Sequence, residues 1–114
     1  MSTFSELDSL KFDASGLIPA IAQDSATGRV LMLAWMNRES LQKTLELGEA
    51  VYFSRSRNEL WHKGATSGNR QILESVAYDC DADSLLLQVK PLGPACHTGE
   101  TSCFDSGVLG LDKR

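Results

Sequence analysis

Three thiols, Cys80, Cys96 and Cys103, are spaced by fifteen and then six intervening residues. Thiolates are soft ligands that suit zinc, and a site with three protein ligands leaves a fourth position for water, the pattern of a catalytic centre. His97 stands beside Cys96, where an imidazole can take up the fourth position or move protons near neutrality. Two other readings stay open. Cysteines also serve as small apolar core residues. Alternatively, Cys80, Cys96, His97 and Cys103 can close a purely structural zinc site, as in a small interaction module. The absence of a C-x-x-C pair weakens a thiol redox role.

Around the first thiol the sequence reads Asp79-Cys80-Asp81-Ala82-Asp83. If this segment is extended, Asp79, Asp81 and Asp83 share one face and Cys80 takes the other. Carboxylates suit a hard cation such as magnesium. A calcium-binding EF-hand loop is excluded, because Ser84 stands where its glycine belongs and Lys90 where its bidentate glutamate belongs. A solvated acidic turn between strands is the plainer alternative.

A third cluster is basic. Ser54-Arg55-Ser56-Arg57 is followed by Leu60-Trp61-His62-Lys63-Gly64-Ala65-Thr66-Ser67-Gly68-Asn69-Arg70. Guanidinium forks and ammonium groups pair with phosphate, and glycines beside small hydroxyl residues let backbone N–H groups approach an anion. Arg55, Arg57, Lys63, Ser67, Asn69 and Arg70 are therefore candidate contacts for a phosphorylated small molecule. Trp61 offers a stacking face to a base, or simply packs. A charged hairpin surface is the alternative for the whole segment.

The elements that must position these residues follow from local signals. Leu17 to Gln23 and Arg29 to Met36 are apolar runs around the turn-forming Asp24-Ser25-Ala26-Thr27-Gly28, which predicts an antiparallel hairpin. Asn37 caps a short helix whose Leu41, Thr44 and Leu45 share a face, and Gly48 closes it in the left-handed region. Val51 to Arg55, Gln71 to Asp81 and Leu85 to Lys90 read as strands, the last two joined at Ala82-Asp83-Ser84. Pro91 to Cys103 holds two prolines and two glycines and reads as a surface loop ordered by something else, such as a bound metal. The fold class expected is α+β, a mostly antiparallel sheet with one or two short helices.

At 114 residues, without repeats or a linker-like tract, the chain reads as a single domain over 1–114. Hydrophobic residues make up 42% and charged residues 23%, and no apolar run is long enough to cross a membrane. Met1 to Leu10 carries Glu6 and Asp8 and lacks the features of a secretory signal, so the cytoplasm is the expected address. A net charge of −4 argues against broad binding to nucleic acid or anionic membranes, while leaving a local phosphate site open.

In order along the chain, Val30-Leu31-Met32-Leu33-Ala34-Trp35-Met36-Asn37, Ser54-Arg55-Ser56-Arg57, Leu60-Trp61-His62-Lys63-Gly64, Thr66-Ser67-Gly68-Asn69, Asp79-Cys80-Asp81-Ala82-Asp83 and Cys96-His97-Thr98-Gly99 resemble phosphoribosyl-AMP cyclohydrolase. The resemblance spans Ile18 to Phe104 and ends in Glu100-Thr101-Ser102-Cys103-Phe104. It implies an intertwined homodimer in which zinc is held by Cys80, Cys96 and Cys103 shared between subunits. It also implies magnesium at Asp79, Asp81 and Asp83. The implied reaction is hydrolysis of the N1–C6 bond in the adenine ring of phosphoribosyl-AMP, a step of histidine biosynthesis, with His97 the candidate proton shuttle. Some members continue into a pyrophosphohydrolase domain, and a chain that stops soon after its last cysteine is expected to be monofunctional.

Overall fold

The computed structural model describes residues 4–112. Residues 1–3, part of the stretch read for a secretory signal, lie outside it. The expected hairpin is β1 (Ile18–Asp24) and β2 (Val30–Met36), paired antiparallel from Ile18↔Met36 to Gln23↔Val30. Alternation along β1 buries Ile18, Ala20 and Ala22. Asn37 then caps α1 (Arg38–Leu47): its side chain accepts from the Ser40 amide at 2.8 Å, while the Ser40 hydroxyl accepts from the Asn37 amide at 3.0 Å. Gly48 ends the helix at φ 72°, a conformation that disfavours any side chain with a Cβ. Leu41 and Thr44 face inward as expected, whereas Leu45 is exposed. The Thr44 hydroxyl accepts from the Val51 amide at 2.9 Å, binding α1 to β3 (Val51–Ser54).

Strands β3, β4 (Glu59–His62), β5 (Gln71–Tyr78) and β6 (Leu85–Pro91) complete a six-stranded sheet of order β4-β3-β2-β1-β6-β5. The expected α+β class with a mostly antiparallel sheet holds, with a single α-helix among the described residues. Three features depart from the expectations. β6 lies parallel to β1, from Ala20↔Leu85 to Asp24↔Val89. β4 arises inside the basic segment. β5 stops at Tyr78, so the aspartate segment is not extended; the chain turns through Cys80, Asp81 and Ala82, with Ala82 at φ 60°.

The sheet curls until β5 meets the segment that leads into β3. Glu49 bridges Ile72, the Ala50 amide bonds the Gln71 carbonyl at 3.0 Å and the Leu73 amide bonds the Gly48 carbonyl at 2.9 Å. Inside the curl lie Ile18, Leu31, Met36, Leu87 and Val89, with Tyr52 and Gln71 as buried polar members. The Tyr52 hydroxyl donates to Gln71 Oε1 at 2.7 Å, and Gln71 Nε2 reaches Met32 Sδ at 3.3 Å, so neither polar group is buried without a partner. No helix among the described residues is long and apolar enough to cross a membrane.

Candidate active site

Pairing of β3 with β4, from Val51↔His62 to Ser54↔Glu59, forces a tight hairpin that carries Arg55 and Arg57 at its tip. β4 delivers Trp61, and the chain then coils through 63–68 as consecutive turns, with Gly64 at φ 82° and Gly68 at φ 84°. A Cβ on Gly64 would collide with the backbone of Asn69 and Arg70, so only glycine allows this segment to fold back on itself. Across from it lies the segment after β6. The two are joined by the Leu92 amide on the Arg70 carbonyl at 2.8 Å and by the Asn69 side chain resting against Gly93.

Between these segments opens a cleft of about 450 Å³, whose walls include Arg57, Trp61, Lys63, Gly64, Ser67, Asn69, Cys96, His97 and Gly99. Five of the seven expected substrate contacts therefore share one cavity with a thiol and a histidine. Arg55 lies outside it, its guanidinium 4.7 Å from the Trp35 ring centroid in an adjoining groove that shares Trp61. Arg70 also lies outside, 3.8 Å from Glu49, which in turn pairs with His62 Nε2 at 2.8 Å. The Glu49–His62–Arg70 grouping was not foreseen in the sequence; the β3–β4 pairing sets His62 near Glu49, and closure of the sheet brings Arg70.

The cysteine-bearing loop is less superficial than its composition suggests. Ala95, Cys96 and Ser102 are buried. The Ala95 amide bonds the Thr101 carbonyl at 3.1 Å and the Cys96 amide bonds the Glu100 carbonyl at 3.2 Å, a small hairpin with His97 exposed at its tip. The Ser102 hydroxyl donates to the Val30 carbonyl at 2.7 Å and accepts from the Phe104 amide at 3.0 Å, which starts the 3₁₀ turn Cys103–Asp105. Arg29 pairs with Asp105 alongside. The loop is thus fastened to the start of β2 by its own hydrogen bonds.

Cys96 and Cys103 lie side by side. The Thr98 hydroxyl donates to Cys96 Sγ at 3.1 Å and, with the Thr98 amide, holds the Cys96 thiol below its ordinary range; Cys103 adds a further donor. Burial pushes the Cys103 thiol up, as does its hydrogen bond to Cys96, and the nearby Lys63 ammonium opposes that rise. Two adjacent thiols, one with its pKa lowered by Thr98, form a donor set suited to a soft divalent metal.

Cys80 is elsewhere. It follows β5 at the end where Tyr78 pairs with Leu85, whereas Cys96 follows β6 at the opposite end, where Gln71 pairs with Pro91. The seven residues of β6 separate them by about 20 Å at ~3.3 Å per residue. Among the described residues of one chain, no three His, Cys, Asp or Glu side chains gather into a metal-sized cluster.

The aspartates do approach one another, but through a turn instead of alternation on a strand. The Asp83 amide donates to Asp79 Oδ1 at 3.0 Å, the Ala82 amide bonds the Asp79 carbonyl at 2.9 Å and the Lys11 amide bonds the Ala82 carbonyl at 2.7 Å. Partial desolvation, and then the charge and hydrogen bond of Asp79 with the charge of Asp81, raises the Asp83 carboxyl above the usual carboxylate range.

Residues 32–105 match the family model described as phosphoribosyl-AMP cyclohydrolase. A phosphoribosyl-AMP cyclohydrolase of Thioalkalivibrio sulfidiphilus is 63% identical over 99 residues, covering 86% of this chain and 76% of that protein. Its counterpart in Trichormus variabilis is 60% identical over 102 residues, covering 89% of this chain and 88% of that protein. The histidine biosynthesis bifunctional protein HisIE of Parasynechococcus marenigrum is 65% identical over 102 residues, 89% of this chain but 46% of that protein, so the chain spans about half the length of that bifunctional relative. The chain belongs to the phosphoribosyl-AMP cyclohydrolase family.

Proposed function

We propose that the protein hydrolyses the N1–C6 bond of the adenine ring in 1-(5-phosphoribosyl)-AMP, giving the formimino-aminoimidazole carboxamide ribotide intermediate of histidine biosynthesis in the cytoplasm. The observation that carries this reading is the cleft in which Cys96 and His97 face Arg57, Trp61, Ser67 and Asn69. Arg57 and the hydroxyls of Thr66 and Ser67 suit a phosphate, and Trp61 presents a ring face to the base. Water adds to C6 as the N1–C6 bond breaks; C6 becomes the carboxamide carbon, and N1, still carrying its ribosyl group, takes up a proton. His97, at the exposed tip beside Cys96, is the group we assign to moving that proton.

The zinc site proposed takes Cys96 and Cys103 from one protomer and Cys80 of the partner subunit, in a homodimer. The separation of Cys80 from the other two thiols within one chain supports sharing. Zinc bound there supplies an acidified water, its pKa lowered from about 15.7 towards about 7. Asp79, Asp81 and Asp83 would hold magnesium, whose charge would offset the carboxylate crowding that raises Asp83.

The test is an assay of purified protein for opening of phosphoribosyl-AMP, before and after chelation and with zinc restored in the presence of magnesium. Ring opening lost on chelation and regained with zinc is expected. Full turnover by demonstrably zinc-free protein would overturn the metal reading, and no turnover under any metal condition would overturn the substrate.

A further inference from the structure

Among the described residues, Lys63 is the one charged side chain that is buried, at 6% exposure. Its backbone and its head reach two different places. The Lys63 amide bonds the Ala50 carbonyl at 3.1 Å, in the segment that closes the sheet, while Nζ donates to the Ala95 carbonyl at 2.8 Å, at the base of the hairpin carrying Cys96 and His97. Nζ also lies 5.6 Å from the Trp61 ring centroid. A buried ammonium is tolerated only where carbonyl, ring face and negative charge replace its water.

We propose that Lys63 is a positioning residue for the metal-binding loop: it ties Ala95 to the closed end of the sheet and supplies the countercharge for thiolates at Cys96 and Cys103. This rests on the zinc reading above. The sign follows from charge. Metal-free thiols carry none when protonated, whereas three thiolates around one divalent zinc carry a net negative charge, so an adjacent fixed ammonium favours the loaded site.

The experiment compares Lys63→Met, of similar volume but neutral, with the wild type. In metal-free protein, hydrogen exchange at the Ala95 and Cys96 amides is expected to accelerate by about tenfold, while the amides of β1 and β6 stay as protected as before. The zinc dissociation constant, by chelator competition, is expected to rise about tenfold or more.

Unchanged loop exchange and unchanged zinc affinity in Lys63→Met, with the wild-type protein binding zinc, would overturn this inference alone. Wild-type protein that takes up no zinc overturns the metal reading together with the countercharge role. Should Lys63→Met not fold, nitrogen-15 spectra of the wild-type ammonium groups decide. Slower proton exchange at Lys63 than at the exposed Lys11, Lys43 and Lys90 supports the tether; equal exchange refutes it.

Discussion

The two ends of β6 carry the two halves of the expected metal chemistry and solve their local problems differently. At one end the Cys80–Asp83 turn is exposed and is held mainly by backbone amides, those of Asp83, Ala82 and Lys11. At the other, the loop through Ala95, Cys96 and Ser102 is drawn into the protein by Lys63 and by the start of β2. A chain can fix two thiols with its own packing and present a third on a surface turn. That surface thiol is free to meet something outside the chain.

The sharpest way to break this contrast is complementation. Cys80→Ala and Cys103→Ala proteins should each be inactive, the loss exceeding about a thousandfold if the metal is essential. Random exchange of their subunits should restore about a quarter of wild-type activity, because each mixed dimer gathers both lesions into one site and leaves the other whole. A mixture that stays dead, although mass spectrometry shows heterodimers, would place all three thiols within one chain and sink the shared site.

Next in size is His97→Ala, with turnover expected to fall by about 10²–10⁴-fold while zinc content, measured by elemental analysis, stays near that of the wild type. Loss of zinc would instead make His97 a ligand. Ser102→Ala should lower stability by about 1–3 kcal/mol in a denaturant melt, since it removes the buried hydroxyl that donates to the Val30 carbonyl and uncaps the following turn. The smallest effect belongs to the exposed end. Asp83→Asn removes a charge crowded by Asp79 and Asp81, so the melting temperature should hardly move, whereas the magnesium concentration needed for half-maximal activity should rise. A large destabilisation there would erase the distinction between the two ends.

What could be read in the sequence follows the range of the interactions involved. The Asn37–Ser40 cap and Gly48 act within a few residues, and the β1–β2 hairpin spans one short turn, so their signals are local and complete. β4 was concealed because Glu59-Leu60-Trp61-His62 carries little apolar alternation; its pairing with β3 holds it extended. Reading the strand from Gln71 on to Asp81 carries the pattern of β5 past Tyr78 and into the turn that Lys11 secures from a distant part of the chain. For the cleft, residue types were legible and placement was not. Arg55 and Arg70 look like Arg57 in sequence, yet Trp35 and Glu49 draw them aside.

The parallel pairing of β1 with β6 also has a consequence in time. Gln23 and Gln88, hydrogen bonded at 2.6 Å across that seam, are 65 residues apart, and closing so long a loop is slow compared with forming a helix or a hairpin. As the chain leaves the ribosome, the first hairpin must therefore wait with one side of β1 unpaired until β6 has been made, an interval in which that edge is open to other chains. The segment bearing Cys96 and Cys103 emerges later still. Its thiols acquire their buried neighbours only after the long seam has closed, so assembly of the thiol pair waits on a slow step of folding.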